Sequence, residues 1–333
     1  MKPLISVIIP AFNVENYVAD AIRSVQAQTL QDLEIVVIDD SSTDGTRRIV
    51  EGFRSDPRVK LVLNKPSNSG TSGARNAGLE VARGQYIGFL DGDDIWHPSK
   101  AQRHISLMES QPDIDLTFSR WNTIDEHGVS TGRVTRPPRK RRFQMEDLLK
   151  ENLVGGSSNV ICRARAIELA GFFDASLKAA VDLDLWLRIA QLRDSNICFI
   201  DEVLTFYRLR EGQITKDWRR MAQNWEIVVA KLRSKMPERV ARVEKEARAK
   251  HLRYRCYLAY EAGDFPASRK LLWQAFSSAS LPLFADRRTW ITAAAVLASI
   301  MPDRVHRPLA AAVKTLRARL FAKQPVPRTG AIQ

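Results

Sequence analysis

The chain has 333 residues, 44% hydrophobic and 27% charged, which is typical of a globular protein with room for one large domain and a smaller one. Three widely spaced cysteines, Cys162, Cys198 and Cys256, exclude a disulfide framework and show no metal-ligand spacing. The net charge of +13 is uneven, since residues 1–214 carry −2 and residues 215–333 carry +15. This asymmetry indicates two functional units.

The apolar stretches near the two ends of the chain predict no membrane span. LISVIIPAF (4–12) is interrupted by Pro10 and followed by polar residues, so we expect a buried strand rather than a secretory signal. TWITAAAVLASIM (289–301) is shorter than the roughly 20 residues that a bilayer requires. We therefore expect a cytoplasmic protein, and a peripheral position at the inner face of the cytoplasmic membrane stays open.

The first third of the chain alternates between apolar runs and helical patterns. The runs ISVII (5–9), EIVVID (34–39), VKLVL (59–63) and YIGFL (86–90) predict strands that are buried on both faces. Helical patterns fall between them, at 16–28, 46–53 and 72–83. This alternation predicts a parallel sheet, and ligands of such sheets bind beyond the carboxyl ends of the strands.

The later segments are more varied. Residues 119–142 predict an irregular loop or β-excursion that ends in the basic run RPPRKRR, and 152–174 predict a loop, a short strand and a helix. A strong amphipathic helix is predicted over 180–192. From about residue 215 the pattern is almost entirely helical, with a turn at Ala262-Gly263-Asp264.

The run FLDGDDIWHP (89–98) places Asp91, Asp93 and Asp94 on one turn after a predicted strand. Clustered carboxylates that face a cleft suit a hard divalent cation, Mg²⁺ or Mn²⁺, which is usually held by one or two carboxylates and substrate phosphates. The competing interpretation is that Asp93 or Asp94 caps a helix that starts near Pro98.

Three other segments offer polar groups to the same cleft. Asp39 and Asp40 end the second predicted strand and can accept hydrogen bonds from a base or a ribose, while the following SSTDGT offers helix caps. The run NSGTSGARNAG (68–78) combines Gly70 and Gly73 with Arg75 near a helix start, which suits a phosphate. Either Asp182 or Asp184 can act as a general base, and the helix N-terminus favours Asp182.

These motifs together resemble one family. SVIIPAFN, EIVVIDDSSTDGT, SGTSGARNAGLEVARGQYIGFLDGDDIWHP and DLDLWLR, in this order over residues 4 to about 210, are similar to the family 2 glycosyltransferases of the GT-A fold. The resemblance implies an α/β, GT-A nucleotide-sugar-binding fold with a mostly parallel central sheet. It implies a catalytic domain at 1–214, followed by a basic, all-helical region at 215–333.

The resemblance also implies roles for individual residues. Donor-side residues would be Pro10 and Phe12 as pocket walls, Asp40 supported by Asp39 at the base, Arg75 at the diphosphate and Asp91 near the ribose. In the DxD motif, Asp93 would be the main metal ligand with Asp91, and Asp182 would be the catalytic base. The candidates on the acceptor side are Gly156, Ser157 and Ser158. One departure is Val181, where the family often has Glu, and an apolar neighbour would raise the pKa of Asp182.

The implied function is a metal-dependent, inverting transfer of one sugar from a nucleotide-diphosphate sugar, expected to be a UDP-sugar, to a glycan or lipid-linked acceptor in cell-surface polysaccharide synthesis. A nucleotidyltransferase would need a glycine-rich loop where PAFN (10–13) stands, and a processive synthase would need membrane spans. The remaining alternative is a catalytically weak nucleotide-sugar-binding scaffold whose helical tail recruits partners.

The basic tail allows several interpretations. It can be a helical addition that packs on the catalytic domain, a partner-binding array, or a region that binds an anionic membrane surface. Segment 286–321 favours the membrane, because it joins an apolar stretch to basic residues, namely Arg304, Arg307, Lys314, Arg317 and Arg319. No nucleic-acid-binding motif is present, so we expect no nucleic-acid partner.

Overall fold

The computed structural model describes residues 2–65, 70–210, 217–278 and 281–302, together with 304, 306, 308, 309, 311 and 312. The chain divides into two compact units. The first contains Met1–Val129, Pro137–Leu148 and Asn152–Arg210, and the second contains Ser130–Arg136, Leu149–Glu151 and the chain from Glu211 onward. The domain boundary predicted between 214 and 215 lies outside the described residues, as do Asn68 and Ser69 of the predicted glycine-rich run.

The strands are β1 (Ile5–Ala11), β2 (Leu33–Asp39), β3 (Val59–Leu63), β4 (Tyr86–Phe89), β5 (Ile95–Trp96), β6 (Leu116–Ile124), β7 (Ser130–Val134), β8 (Arg142–Phe143), β9 (Val160–Arg163) and β10 (Ile197–Arg208). The helices are α1 (Val18–Gln26), α2 (Thr46–Glu51), α3 (Thr71–Val81), α4 (Lys100–Ser110), α5 (Met145–Lys150), α6 (Ala164–Ala170), α7 (Val181–Ile189), α8 (Trp218–Lys235), α9 (Pro237–Glu261), α10 (Phe265–Ser277), α11 (Leu281–Ala285) and α12 (Arg287–Ala298). The four strands and three helices predicted before residue 90 are confirmed, with small differences at their ends, but β3 is partly exposed rather than buried on both faces.

The sheet of the first unit has the order β3-β2-β1-β4-β9-β6-β10-β5. Strands β3, β2, β1 and β4 are parallel to one another, and β10 is parallel to β6. Strand β9 is antiparallel to both of its neighbours, β4 and β6. The predicted α/β fold with a mostly parallel central sheet is confirmed, and its core consists of the continuous apolar strands with the buried faces of α1 and α4.

The register brings three strand ends to one edge. Ala11 of β1 pairs with Asp39 of β2, and Ile8 of β1 pairs with Phe89 of β4. Because β9 runs antiparallel to β4, the turn that precedes β9 also lies at the carboxyl end of β4. The strand ends that carry the predicted polar residues therefore lie at one edge of the sheet, and one antiparallel strand adds a loop there.

Two sequence predictions about structure are wrong. Of the two structures predicted for 119–142, the irregular loop is wrong at residues 119–124, because β6 continues through them to Ile124 and most of their side chains are buried. Asp93 and Asp94 do not cap the next helix, since α4 begins at Lys100 and Ser99 occupies its N-cap position.

The second unit is helical over most of its described residues, as predicted. Helices α9 and α10 form a hairpin around Gly263, which adopts φ +75°, a conformation that glycine accepts without strain. Asp264 caps α10 by accepting a hydrogen bond from the backbone N–H of Ala267 at 3.1 Å. The core of this unit joins Trp218 and Cys256 to apolar side chains of α10 and α12. Of the basic residues predicted to favour a membrane, Arg307, Lys314, Arg317 and Arg319 lie outside the described residues.

Candidate active site

Arg75 lies at the centre of the site. It is in the first half of α3 and only 2% exposed. Its guanidinium donates to Asp91 Oδ1 at 2.7 Å, to Asp182 Oδ1 at 2.9 Å and to Ser157 Oγ at 2.5 Å. Burial lowers the pKa of Arg75, but the carboxylates of Asp182 and Asp91 outweigh it and the net shift is upward. One buried cation thus joins the fourth strand end to the start of α7.

The guanidinium of Arg75 is held from behind by aromatic packing. Its carbon lies 5.4 Å from the centroid of the Phe173 ring, which in turn packs edge-on against Phe89 at 5.3 Å. The Asn76 side chain accepts from the Phe173 N–H at 3.0 Å and donates to the Phe173 carbonyl at 2.9 Å. The residue after Arg75 therefore clamps the GFFD segment onto α3, and the cation has little freedom to move.

The three aspartates of the DGDD turn have three different partners. Asp91 faces Arg75, and Asp93 faces Arg210, whose Nε donates to it at 2.5 Å. Asp94 points inward and accepts from the backbone N–H of Arg208 at 2.9 Å. Burial, together with the charges of Asp93 and Asp91, raises the pKa of Asp94 well above its ordinary value. Asp94 is therefore a structural part of the turn, whereas the side chains of Asp91 and Asp93 keep 33% and 12% of their surface accessible.

The turn itself is tied to the end of β1. Gly92 donates through its backbone N–H to the Pro10 carbonyl at 3.2 Å. A Cβ at Gly92 would lie 3.1 Å from that carbonyl oxygen and 3.1 Å from Val14 Cγ2, so the glycine allows this close approach. Asp40 donates through its N–H to the next carbonyl, Ala11, at 2.9 Å. The Asp39–Asp40 pair and the DGDD turn therefore flank the same end of β1.

The structure separates the two candidate bases on α7. The Asp182 carboxylate meets Arg75 and keeps 23% of its surface accessible. Asp184 is 3% exposed and forms an ion pair with Arg188, one helical turn later, at 2.7 Å. Burial raises the pKa of Asp182, Arg75 lowers it and Asp91 raises it, for a net upward shift. The shift has the direction expected for Asp182, with burial as its largest cause, and Asp184 is held by its ion pair with Arg188.

The predicted acceptor-side residues lie on the short 3₁₀ turn Ser157–Asn159 and just before it. Ser157 is fully buried against Arg75 and Asp91, and the Ser158 hydroxyl accepts from the Asp91 N–H at 3.0 Å. Gly156 is exposed, and a Cβ there would meet no other atom within 4 Å. The two serines thus hold the first aspartate, while Gly156 borders solvent.

The predicted walls of the nucleotide pocket lie on one edge. Phe12 is 55% exposed and follows β1 directly, after Pro10 near the end of that strand. Asp39 accepts from the Ser42 N–H at 3.1 Å. Asp40 accepts from the Asn64 side chain at 2.6 Å and from the Gly70 N–H at 2.8 Å. These contacts hold the acidic pair in place at the edge where a base would bind.

Arg208 and Arg210 complete the site, and sequence reasoning missed both. Arg208 is 1% exposed, donates to the Asp93 carbonyl at 2.8 Å and lies over the Tyr17 ring at 4.9 Å. Both arginines stand in or just after β10, a strand that we did not predict. Their only sequence signal is the alternation RLR (208–210) after an apolar run, which places two cations two residues apart.

Asp91 and Asp93 fit a hard divalent cation in part. Both offer carboxylate oxygens, and burial followed by the charge of Asp91 raises the pKa of Asp93 against the opposing effect of Arg210. A bound cation would relieve this excess of negative charge. Among the described residues no group of three or more His, Cys, Asp or Glu could hold a metal alone. Donor phosphates and water would have to supply the other ligands, as Mg²⁺ and Mn²⁺ sites commonly require.

Comparison with known proteins identifies the family. A family model described as glycosyl transferase family 2 matches residues 6–168. The Escherichia coli protein named UDP-Glc:alpha-D-GlcNAc-diphosphoundecaprenol beta-1,3-glucosyltransferase WfgD is 32% identical over 228 residues, which cover 68% of this chain and 85% of that protein. The chain belongs to glycosyl transferase family 2. The transferase is also 29% identical over 226 residues to the putative teichuronic acid biosynthesis glycosyltransferase TuaG of Bacillus subtilis, covering 67% of this chain and 86% of TuaG.

Solved structures show the same fold. The crystal structure of Staphylococcus aureus TarS 1-349 in complex with UDP-GlcNAc has a TM-score of 0.63 and 17% identity, covering 97% of the transferase and 93% of that chain. The mannosyltransferase PcManGT from Pyrobaculum calidifontis, in complex with GDP-Man and Mn²⁺, has a TM-score of 0.60 and 18% identity, covering 96% and 86%. The predicted GT-A fold is confirmed.

Proposed function

We propose that the transferase moves one sugar from a UDP-sugar to a hydroxyl of a glycan or lipid-linked acceptor, in the synthesis of a cell-surface polysaccharide. The observation that carries this proposal is that Asp91 and Asp182 bind the same buried guanidinium of Arg75. Asp91 belongs to the donor side and Asp182 is the candidate base. A single rigid cation between them sets the distance at which the acceptor hydroxyl meets the sugar.

The names of relatives support the choice of substrates. WfgD is named for a UDP-Glc donor and an acceptor carried on diphosphoundecaprenol, and TuaG is named for teichuronic acid biosynthesis. TarS was crystallised with UDP-GlcNAc. A lipid-linked acceptor would bring the transferase to the cytoplasmic face of the membrane as a peripheral protein. In the part of the chain that the structure describes, no helix is both long and apolar enough to cross a bilayer.

In the proposed reaction Asp182 removes the proton of the acceptor hydroxyl. Arg75 holds Oδ1 of Asp182, and 23% of the Asp182 side chain stays accessible to an acceptor hydroxyl. The acceptor oxygen forms a bond to the anomeric carbon from the face opposite the diphosphate, and the bond from that carbon to the diphosphate oxygen breaks. The electron pair leaves with the diphosphate, so the configuration at the anomeric carbon inverts. Base catalysis of this kind contributes about 10²–10⁴-fold.

The donor end is held by the other residues of the site. Pro10 and Phe12 would border the base, Asp40 with Asp39 would accept its hydrogen bonds, and Asp91 would contact the ribose. Arg75 would stand at the diphosphate side. Mg²⁺ or Mn²⁺, held by Asp91 and Asp93, would neutralise the charge of the departing diphosphate when bound.

The first test is thermal stability of the purified protein with a panel of nucleoside diphosphates, with and without Mn²⁺. We expect a stabilisation by UDP that requires the metal and disappears in Asp93→Ala. Glu109→Gln, at an exposed position near the end of α4, is the control and should keep the shift. Asp182→Asn should keep the shift but lose turnover. A protein that no nucleotide stabilises in the presence of metal would contradict the proposal and favour a scaffold.

A further inference from the structure

The second unit has an apolar stripe on the exposed side of α12. The exposed positions of α12 include Arg287, Trp290, Ala294 and Leu297, whose spacing of three, four and three residues puts them on one side of a helix. Trp290 is 54% and Leu297 57% exposed. The opposite side, which includes Ala293 and Val296, lies in the helical core. After Arg287 and Arg288 at its start, the helix is therefore apolar on both sides, whereas a surface helix normally turns charged residues to water.

The stripe continues beyond the helix and beside it. Ile300 and Met301, in the turn that closes α12, are 64% and 50% exposed. No charged residue occurs anywhere in 289–302. On the other flank Phe284, 40% exposed, lies 6.1 Å from Trp290 between ring centroids, and the Trp290 indole N–H donates to the Phe284 carbonyl at 2.8 Å.

Helix α10 adds a third aromatic side chain to this surface. Phe276 of α10 stacks on Phe284 at 5.7 Å and lies 6.1 Å from Trp290. Trp273 stands three residues before Phe276, so both belong to the same side of α10, and it is 74% exposed. We call the exposed set the aromatic stripe: Trp273, Phe284, Trp290, Leu297, Ile300 and Met301. Exposed apolar residues gathered in this way mark a binding surface rather than scattered surface positions.

The charge around the aromatic stripe indicates what binds it. Among the described residues from 265 onward there are five Lys and Arg but only one acid, Asp286, which gives a net charge of +4. Lys270 precedes Trp273 by one helical turn, Arg287 begins α12, and Arg304 follows Met301, and all three are exposed. Apolar and aromatic side chains bordered by cations match the boundary between acyl chains and anionic headgroups.

We propose that the aromatic stripe docks on the surface of an anionic lipid bilayer, with Trp290 and Leu297 inserted at the level of the headgroups and the basic residues against lipid phosphates. The inference deepens the proposed function and rests on it for its purpose, because a lipid-linked acceptor is presented at that surface. The indole N–H of Trp290 already has its protein partner, so the ring enters the bilayer without leaving an unpaired donor.

The test is flotation of the full-length protein with vesicles, without any nucleotide or metal. We expect binding to vesicles of equal parts phosphatidylcholine and phosphatidylglycerol, and little binding to phosphatidylcholine alone. Leu297→Ser should weaken binding about tenfold, because the apolar side chain leaves the bilayer. Leu169→Ser is the matched control, since Leu169 is 61% exposed but lies in the first unit, and it should bind as the native protein does. Arg287→Gln should weaken binding about fivefold and make it less sensitive to salt.

A second measurement locates the contact. Vesicles with bromine on the acyl chains should quench tryptophan fluorescence, and Trp290→Phe should bind normally but lose part of the quenching. Asp93→Ala should bind vesicles like the native protein, so a failed donor site and a failed membrane surface give different results.

Three outcomes would overturn the proposal. Binding that Leu297→Ser and Leu169→Ser leave equally strong would assign the attraction to charge elsewhere. Full competition by soluble glycerol phosphate would indicate an anion site instead of a bilayer. A dimer in solution that Leu297→Ser converts to a monomer, with no vesicle binding, would show that a second copy of the chain covers the stripe.

Discussion

Replacing Arg75 by Met tests whether one buried cation organises the site. The substitution keeps a long apolar stem but leaves Asp91 and Asp182 without the guanidinium that both contact. Removing one partner of a buried ion pair typically costs about 3–5 kcal/mol, because the remaining charge stays desolvated. We expect a loss of this size in the free energy of unfolding at neutral pH, measured by urea denaturation followed by circular dichroism.

The pH dependence of that loss gives the sharper test. Arg75 lowers the pKa of Asp182, so its removal raises that pKa further. The folded variant then binds a proton that the unfolded chain releases, between the ordinary aspartate pKa of about 3.9 and the raised value. In this window the stability of the variant increases as the pH falls, relative to the native protein. The difference in the free energy of unfolding between the native protein and Arg75→Met should therefore become smaller as the pH falls.

Arg75→Lys and Arg188→Met are the comparison variants for this experiment. Lysine keeps the positive charge but lacks the planar guanidinium that contacts both carboxylates. We therefore expect Arg75→Lys to have a stability between those of the native protein and Arg75→Met, and poor turnover. Arg188→Met breaks the buried pair with Asp184 and should cost stability without moving the acid limb of the activity profile. An Arg75→Met protein with native stability at neutral pH, or a deficit that does not change between pH 5 and pH 8, would refute the reasoning.

Three further predictions follow from single side chains. The pKa of Asp182 is raised and its base form is the active one, so turnover should already fall at pH values above the ordinary aspartate pKa. Asp182→Asn should lower kcat about 10²–10⁴-fold with little change in donor binding. Initial rates measured across pH check both expectations. In calorimetry, Asp94→Asn should keep the metal-dependent binding of UDP, since Asp94 points into the protein, whereas Asp93→Asn should lose that binding. Equal losses in the two variants would contradict the roles assigned to the two aspartates. Burial lowers the pKa of His251 to about 3, so the unfolded chain takes up a proton below about pH 6.5 that the folded one does not, and stability should fall by about 1.4 kcal/mol per pH unit on acidification. His251→Phe, which keeps the stacking on Trp225, should flatten that slope in urea titrations at several pH values, and an unchanged slope would show that other groups cause it.

The local sequence was sufficient to predict where the first strands end and which polar residues follow them. The runs that became β1, β2 and β4 are nearly continuous in apolar residues and are buried on both faces of the sheet, whereas β3 at the end of the strand order is partly exposed. Since parallel strands share one carboxyl edge, Asp39, Asp40 and the DGDD turn could be placed together before any contact was known. The same argument failed for β6 and β10, because polar residues, many of them buried, interrupt the apolar pattern of both strands.

Only the tertiary structure decided which charges meet. Arg75 and Asp182 are 107 residues apart in the chain, and Asp93 and Arg210 are 117 apart. No spacing rule connects residues at such distances, because their approach depends on β9 and β10 entering the sheet after the parallel strands. The sequence by itself determined the fold family and the edge that carries the site. The folded chain alone determined that Asp182 rather than Asp184 faces Arg75, and that Asp94 turns away from the cleft, since burial and partner charges are properties of the packed state.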